Sequence, residues 1–364
     1  MRESARIPVR VPGGSYDVLV GRGLLDDAGA LLRERSIARR VVVVTDDRVA
    51  PIFARRVLDR LSEEAFDPVS VIVKAGEASK NWSEAGRLVE MFSGAALGRD
   101  GGVVALGGGV IGDLAGFAAS VYLRGVPVVH LPTTLLAQVD SAIGGKTGVD
   151  LPRGKNLAGT FWQPAIVVAD PECLGSLPQQ EWSSGSAEVA KSAILDSESS
   201  LSTLESDAEA LRAREPSAVD RAVLMAVAFK ARVVSGDERE AADRECLNLG
   251  HTFAHALERE LGYGVISHGA AVAEGLRFSA RLAVRMGVAR QEWAERQGRL
   301  LDALGLAPLD RPCDAAKMRE AMGADKKVRG GRVRFVLSTG PGAWETNVAD
   351  EGALAEELAS VCTG

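Results

Sequence analysis

Apolar positions follow two different rhythms along this chain, and the change between them divides it near residue 180. Before that point, short apolar runs alternate with helix-spaced stretches. Residues 7–11 and 16–20 are β-like runs around Pro12-Gly13-Gly14, which predicts a hairpin. Residues 40–45 (RVVVVT), 69–73 and 103–106 are continuous and β-branched, as in strands buried on both faces. Residues 48–61, 82–96 and 114–122 carry apolar residues at helical spacing. Strand, crossover helix and strand in repetition predict a parallel sheet with helices on its faces. From Glu181 onward Ala, Leu, Glu and Arg dominate, and helical spacing runs through 187–214, 216–235, 251–261, 269–286 and 290–304. A short strand at 332–337 and a helix from Glu351 close the chain. The prediction is an α/β domain over 1–180 and a mainly α-helical domain over 181–364, which 364 residues are enough to build.

Composition narrows the class. Apolar residues are 46% and charged residues 25%, a globular rather than a disordered balance. The net charge of −6 argues against nucleic acid or an anionic membrane, since both reward a basic surface. The four cysteines are scattered without a CxxC pair, which reads as reduced cytosolic thiols. The start MRESARIPVRVPGG has no signal-peptide core, and no stretch reaches the ~18 apolar residues of a membrane helix. A soluble, cytoplasmic protein is expected.

Candidate chemistry gathers around histidine. Three of the four histidines, His251, His255 and His268, lie in RECLNLGHTFAHALERELGYGVISHG, and the fourth, His130, stands apart in an apolar run. His251 and His255 are spaced i, i+4, so both rings project from one helix face. Two surface histidines would look the same; the third histidine with Arg244 and Asn248 shifts the weight toward a site. Glu188, in SAEVAK, is expected to begin a helix. It reads either as a first-turn charge or as the carboxylate of a His₂Glu metal set. Asp46 follows the run ending at Thr45, where a ribose-binding acid or a turn aspartate is equally at home. Gly107-Gly108-Gly109 lies between a strand and a helix, which suits an anion but also a plain turn. Gly144-Gly145-Lys146-Thr147 ends like a Walker A loop, but Asp140 occupies the place of the required first glycine, so a P-loop is rejected. Lys146, Lys155, Asn156, Lys191, Lys230 and Arg244 stand in apolar or Gly-rich surroundings, where a cation commonly faces a buried anion.

Taken together, GGGVIGDLAGF, YLRG, PTTLLAQVDSAIGGKTGVDLPRGKN, AEVAK, LNLGHTFAHALE and HGAAVAEGL resemble, in order and spacing, the 3-dehydroquinate synthase family of sugar-phosphate cyclases. The similarity runs from about Thr45 to Asp325-Lys326-Lys327, and the block from Gly107 to Asn156 is highly specific. The resemblance implies an N-terminal NAD-binding α/β domain with a parallel sheet and a C-terminal α-helical domain for metal and substrate. It implies a divalent metal, zinc or cobalt, on Glu188, His251 and His268, with His255 turned to the substrate instead of the ion. NAD contacts would fall to Asp46, Glu77, Lys80, Gly108, Gly109, Val110, Asp113, Thr133, Thr134, Asp140, Ser141, Lys146 and Lys155. Substrate contacts would fall to Lys146, Asn156, Lys191, Lys230, Arg244, Asn248, His255 and one or both of Lys326 and Lys327, with Arg124 reaching from the second subunit of a homodimer. Catalytic roles would fall to Lys146, Lys191, Lys230, Arg244, Asn248 and His255.

The implied reaction converts 3-deoxy-D-arabino-heptulosonate 7-phosphate to 3-dehydroquinate and phosphate, a step toward chorismate. NAD transiently oxidises a ring alcohol, the neighbouring C–H is acidified, phosphate leaves, the ketone is reduced back, the ring opens, and an aldol step closes the carbocycle. Such a substrate carries two anions, which explains a demand for cations. Three positions depart from the family pattern: Ala270 replaces the glutamate of HGE, Ala254 a glycine, and Ala142 a common serine. Arg244, Asn248 and His255, which relatives acting on sedoheptulose 7-phosphate tend to alter, are intact, favouring a carboxylate-bearing substrate. An amino-analogue synthase would keep the same residues. A metal-dependent polyol dehydrogenase would share the glycine turn and histidines but needs no dense cation set, and a non-catalytic NAD-binding regulator has no use for the full ligand set.

Overall fold

The computed structural model describes residues 4–262, 264–309, 313–323 and 333–362. Two compact units emerge: Met1–Leu177 together with Lys230–Arg239, and Pro178–Phe229 together with Glu240–Gly364.

In the first unit, strands β1 (Ala5–Val9), β2 (Tyr16–Val20), β3 (Arg40–Asp46), β4 (Asp67–Val73), β5 (Gly102–Gly107) and β6 (Val128–Pro132) are joined by helices α1 (Ala28–Glu34), α2 (Arg55–Glu63), α3 (Trp82–Gly94) and α4 (Gly109–Val121). A hairpin of β7 (Lys146–Leu151) and β8 (Gly154–Phe161) precedes β9 (Ile166–Ala169). Among the described residues the large sheet has seven strands in the order β1-β2-β9-β6-β5-β3-β4. β1 pairs antiparallel with β2, as the Pro12-Gly13-Gly14 turn predicts, and the other pairings are parallel. The apolar runs explain this. Along β3, Val41 and Val43 enter one core with Val104, Leu106, Val129 and Leu131, beneath Leu31, Leu32, Val57 and Leu61 of α1 and α2. Val42 and Val44 enter the opposite core with Val103, Ala105 and Val128, beneath Leu88 and Phe92 of α3 and Leu114, Ala115 and Ala118 of α4. Each of these Val, Leu and Phe side chains contributes about 1.5–3 kcal/mol by leaving water, so both faces must be covered. β6, β7, β8 and β9 were not among the predicted strands; His130 interrupts the apolar run of β6, and the four residues of β9 are hemmed in by Pro164 and Pro171.

The second unit is built on α5 (Gln179–Asp196), α6 (Glu198–Arg212), most of α7 (Pro216–Gly236), α8 (His251–Leu261), α9 (His268–Arg285), α10 (Gln291–Ala303), α11 (Ala315–Gly323) and α12 (Glu351–Val361). The expected continuous helical stretch over 187–214 is two helices. Ser197 leaves helical geometry and its hydroxyl accepts the Ser200 N–H, capping α6. The strand expected at 332–337 is β10 (Arg334–Gly340), paired antiparallel with β11 (Ala343–Val348), a hairpin the sequence reading missed. Another correction concerns cysteine: Cys313 and Cys362 are joined in a disulfide, with Cα atoms 4.7 Å apart, where reduced thiols were expected. They lie 49 residues apart with no flanking framework, so spacing gave no hint. Cys173 and Cys246 are buried thiols. No helix among the described residues is long and apolar enough to cross a membrane.

Candidate active site

Parallel strands end on one side of a sheet, and in the first unit the predicted cofactor residues other than Lys146 and Lys155, which lie in the β7–β8 hairpin, stand at or after the carboxyl ends of four adjacent strands, β4, β3, β5 and β6. The chain reverses direction of sheet growth between β3 and β5, the position where open α/β sheets form a ligand crevice. Gly108 caps α4 without a side-chain hydrogen bond, so the first-turn amides of a 13-residue helix are left for an anion. Side chains at these glycines would crowd neighbours: a Cβ on Gly108 would stand 3.0 Å from Thr134 Cγ2, and one on Gly109 3.0 Å from Ser141 Oγ. Val110 lies in the same first turn. Thr133 donates its N–H to Gly107 O at 2.9 Å, tying the end of β6 to the end of β5. Asp46 Oδ1 accepts the N–H groups of Arg48 and Val49, both at 2.9 Å, so it holds a turn while Oδ2 takes no part in either bond.

Lys80 organises the next group. It is 4% exposed; its ammonium stands 2.5 Å from Asp113 Oδ2 and donates to Asn156 Oδ1 at 2.6 Å, with Glu77 Oε1 3.9 Å away. Burial pulls the Lys80 pKa down, but Asp113, Glu77 and Asp150 outweigh it and hold the ammonium above its ordinary value. Asn156 adopts a left-handed φ of 54°, and its N–H donates to Asp150 Oδ1 at 2.7 Å. Asp150 went unnoticed in the sequence although it lies inside the GVDLPRGKN motif. In the same unit Lys230 donates to Asp140 Oδ1 at 2.5 Å across ninety positions of sequence. Lys146, in β7, is exposed and Lys155, in β8, half-buried, with Lys155 acting electrostatically on Glu77. Arg124 is exposed, and it and Leu123 are consecutive non-glycine residues at φ 66° and 50°.

His130, in β6, is 5% exposed and packs toward Gly112. Burial pushes its pKa down to about 4. The folded state therefore binds fewer protons than the unfolded chain between about pH 4 and 6.5, and stability is lost as pH falls through that window. At pH 5 the expected loss is about 2 kcal/mol relative to pH 7. Urea unfolding of wild type and His130→Gln at both pH values checks this; an equal acid-side loss in the variant would contradict it.

The second unit assembles the histidines. Glu188 does not begin a helix, as expected from the sequence, but lies midway along α5, 1% exposed, so a first-turn charge is not its role. His251 opens α8 and His268 opens α9. His251 Nε2 is 3.5 Å and His268 Nε2 4.0 Å from Glu188 Oε1, and one ligand atom from each residue lies within 4.8 Å of the others. Three tetrahedral ligands at ordinary zinc distances stand about 3.3 Å apart, so small side-chain movements close the set on an ion. His251 Nδ1 donates to Leu249 O at 3.1 Å, and His268 Nδ1 to Glu258 Oε2 at 3.2 Å, which turns both Nε2 lone pairs toward Glu188. Glu188 is paired with Lys191, yet neither of its oxygens accepts a directed hydrogen bond. A buried carboxylate in that condition suits a divalent cation.

Backbone contacts set this geometry. A Cβ on Gly269 would come 2.1 Å from Ser184 Cα, pressing α9 on α5, and one on Gly275 would come 1.9 Å from Gly250 O, pressing α9 on the start of α8. Gly250 itself has φ 79°, a conformation that turns the chain into His251. His255 is exposed one turn beyond His251, their rings 5.5 Å apart. Lys191 and Arg244 are each 1% exposed, and Asn248 donates to Glu240. Lys326 and Lys327 lie outside the described residues. Glu258, missed in the sequence reading, shares a helix with two of the histidines, and that spacing was the available signal.

Comparison with known proteins meets this geometry. The model of the 3-dehydroquinate synthase N-terminal region matches residues 70–184, and that of the C-terminal region matches residues 185–328. The 3-dehydroquinate synthase of Paracoccus denitrificans is 44% identical over 95% of this chain and 96% of its own. A 2-epi-5-epi-valiolone synthase from Streptomyces hygroscopicus, solved with NAD⁺ and Zn²⁺, superimposes with a TM-score of 0.87 at 27% identity over 99% of both chains. A 2-deoxy-scyllo-inosose synthase solved with carbaglucose-6-phosphate, NAD⁺ and Co²⁺ has TM-score 0.90 at 24% identity, covering 99% of this chain and all of its own, and speaks for the fold. With both family regions matched in sequence, the chain belongs to the 3-dehydroquinate synthase family.

Proposed function

We propose that this enzyme converts 3-deoxy-D-arabino-heptulosonate 7-phosphate to 3-dehydroquinate and phosphate, using NAD and one divalent ion, zinc or cobalt. The observation that carries the reading is the pairing in one unit of the Glu188–His251–His268 group with the buried cations Lys191 and Arg244. A simple dehydrogenase needs the first and not the second. When bound, NAD supplies a hydride acceptor that later returns the hydride, and the ion a Lewis-acid charge. Glu188, His251 and His268 would hold the ion. The amides opening α4, with Lys80, Asp113, Thr133, Thr134, Asp140 and Ser141, would hold the dinucleotide, with Asp46, Glu77, Lys146 and Lys155 assigned to it by the family pattern.

Arg244 presents a planar fork suited to the substrate carboxylate. Lys191, buried and paired with Glu188, would fix an anionic or hydroxyl oxygen of the substrate with little reorganisation. His255, exposed beside His251, would serve the phosphate, whose departure needs its charge held and a proton delivered. Asn248 and Asn156 orient hydroxyls, and Lys230 is held in register by Asp140. A homodimer in which Arg124 serves the second copy's site is supported by the paired left-handed Leu123 and Arg124, a conformation costing on the order of 1–3 kcal/mol per residue and kept where a side chain must be aimed. A cytoplasmic enzyme is in keeping with this chemistry.

Phosphate release with NAD and Zn²⁺ or Co²⁺ tests the reading. The heptulosonate phosphate should turn over without net NADH. Release only from sedoheptulose 7-phosphate or the amino analogue would transfer the chain to another cyclase activity. NADH accumulation with a simple polyol would replace the reading altogether, and sedimentation as a monomer would remove the homodimer.

A further inference from the structure

The two histidines at the ion site are not supported alike. His251 Nδ1 donates to a neutral acceptor two residues away, the carbonyl of Leu249. His268 Nδ1 donates instead to a carboxylate from another helix, Glu258 Oε2 at 3.2 Å. Glu258 is 3% exposed, so its charge is not a surface decoration. A carboxylate withdrawn from water is costly unless charged or strongly donating groups face it. His268 itself is one-third exposed at its side chain and opens α9, so without a fixed partner its ring would sample several rotamers. Glu258 lies on α8 two helical turns beyond His251, which brings one helix to both histidines: His251 through its own ring, His268 through a neighbour's carboxylate.

We infer that Glu258 is the positioning residue for the metal ligand His268: its carboxylate fixes the Nδ1–H tautomer, aims Nε2 at the ion, and makes that nitrogen a stronger donor. This rests on the metal reading given above. A carboxylate behind a ligating imidazole raises the basicity of the ring, and removing such a partner commonly weakens metal binding about 10–100-fold. The Leu249 carbonyl cannot do the same for His251, because a neutral acceptor stabilises positive charge on a ring far less than a carboxylate does. The division of labour is therefore uneven: His251 is fixed by its own backbone, and His268 by a removable side chain.

The experiment uses the full-length protein, stripped of metal and titrated with Co²⁺ against a chromophoric chelator, with the visible ligand-field bands recorded. Wild type, Glu258→Gln, Glu258→Ala and Glu188→Ala are compared, together with NAD affinity and metal-free melting temperature. Glu258→Ala is expected to weaken Co²⁺ binding about 10–100-fold and to shift the bands. Glu258→Gln, which keeps an acceptor oxygen without charge, should fall between it and wild type while NAD binding and metal-free melting stay at wild-type values. A merely structural role would move the melting temperature and leave the bands alone. Co²⁺ affinity within twofold of wild type and unchanged bands in Glu258→Gln and Glu258→Ala, with the ion lost in Glu188→Ala, would overturn the inference and leave the metal reading standing. If Glu258→Ala does not fold, Glu258→Gln decides the matter alone. Wild type that takes up no stoichiometric Co²⁺ would overturn both.

Discussion

Glu188→Ala is expected to lose stoichiometric metal and to lower turnover by a factor of about 10³ or more, while NAD affinity stays near wild type. The size follows from removing a Lewis-acid charge worth several kcal/mol of transition-state stabilisation, at a tenfold rate change per 1.36 kcal/mol. The selectivity follows from placement, since Glu188 belongs to the second unit and the residues proposed to hold the dinucleotide belong to the first. One complication is built in. Lys191 is 1% exposed and paired with Glu188, so alanine leaves a buried ammonium without that partner, at a cost of about 3–5 kcal/mol. Glu188→Gln keeps volume and an acceptor oxygen and should therefore melt closer to wild type while losing the metal just as fully. Metal analysis of the two purified variants, together with their melting curves, checks both parts; wild-type metal content in either would remove Glu188 from the ligand set.

The second large effect comes from a single methyl group. Gly269→Ala places a Cβ 2.1 Å from Ser184 Cα, and Gly275→Ala one 1.9 Å from Gly250 O. Both obstacles are backbone, so no side chain can swing aside and α9 must move bodily from α5 or α8. Overpacking of this kind costs about 1–3 kcal/mol and occasionally more, and contact with main chain puts these two at the upper end. The same displacement separates Glu188, His251 and His268, so metal affinity should fall at least about tenfold by the sensitivity of such sites to their supports. Gly86→Ala supplies the contrast. It lies in α3 with nothing within 4 Å of an added Cβ, so the substitution should stabilise by about 0.5–1 kcal/mol. Thermal unfolding and chelator competition read all three; equal stability of Gly269→Ala and wild type would show that α9 is not pressed against α5 at Ser184.

The parallel sheet was legible because Val41–Val44 of β3 and Val103–Leu106 of β5 are buried on both faces and are apolar throughout. β6 is interrupted by His130 and follows Pro127, β9 is four residues between Pro164 and Pro171, and β11 hid behind half-buried positions that alternate weakly. The site was found by the scarcity of histidine. Spacing could set His251 and His255 on one helix face, but it could not bring His268 to His251 and Glu188, since His268 arrives from the start of a different helix. Glu188 was misplaced because a carboxylate buried midway along α5 is costly without partners, and its histidine partners come from elsewhere in the fold. Lys230 and Asp140 could not have been paired from sequence at all, since no local rule links residues that far apart.

That last pair has a consequence for cutting the protein in two. The stretch Lys230–Arg239 is numbered among the helices yet clusters with the sheet, where Lys230 meets Asp140, Ser235 receives the Arg10 N–H and Glu238 the Gly13 N–H. A fragment ending at Leu177 would leave the β1–β2 turn and Asp140 without those partners. The α/β half is thus unfinished on the ribosome until residue 239 has emerged, by which time α5, α6 and α7 have already been made. Neither half is an independent inheritance unit, and exchange of domains between relatives at a single crossover near residue 180 should yield chains that fold poorly unless the 230–239 stretch travels with its sheet.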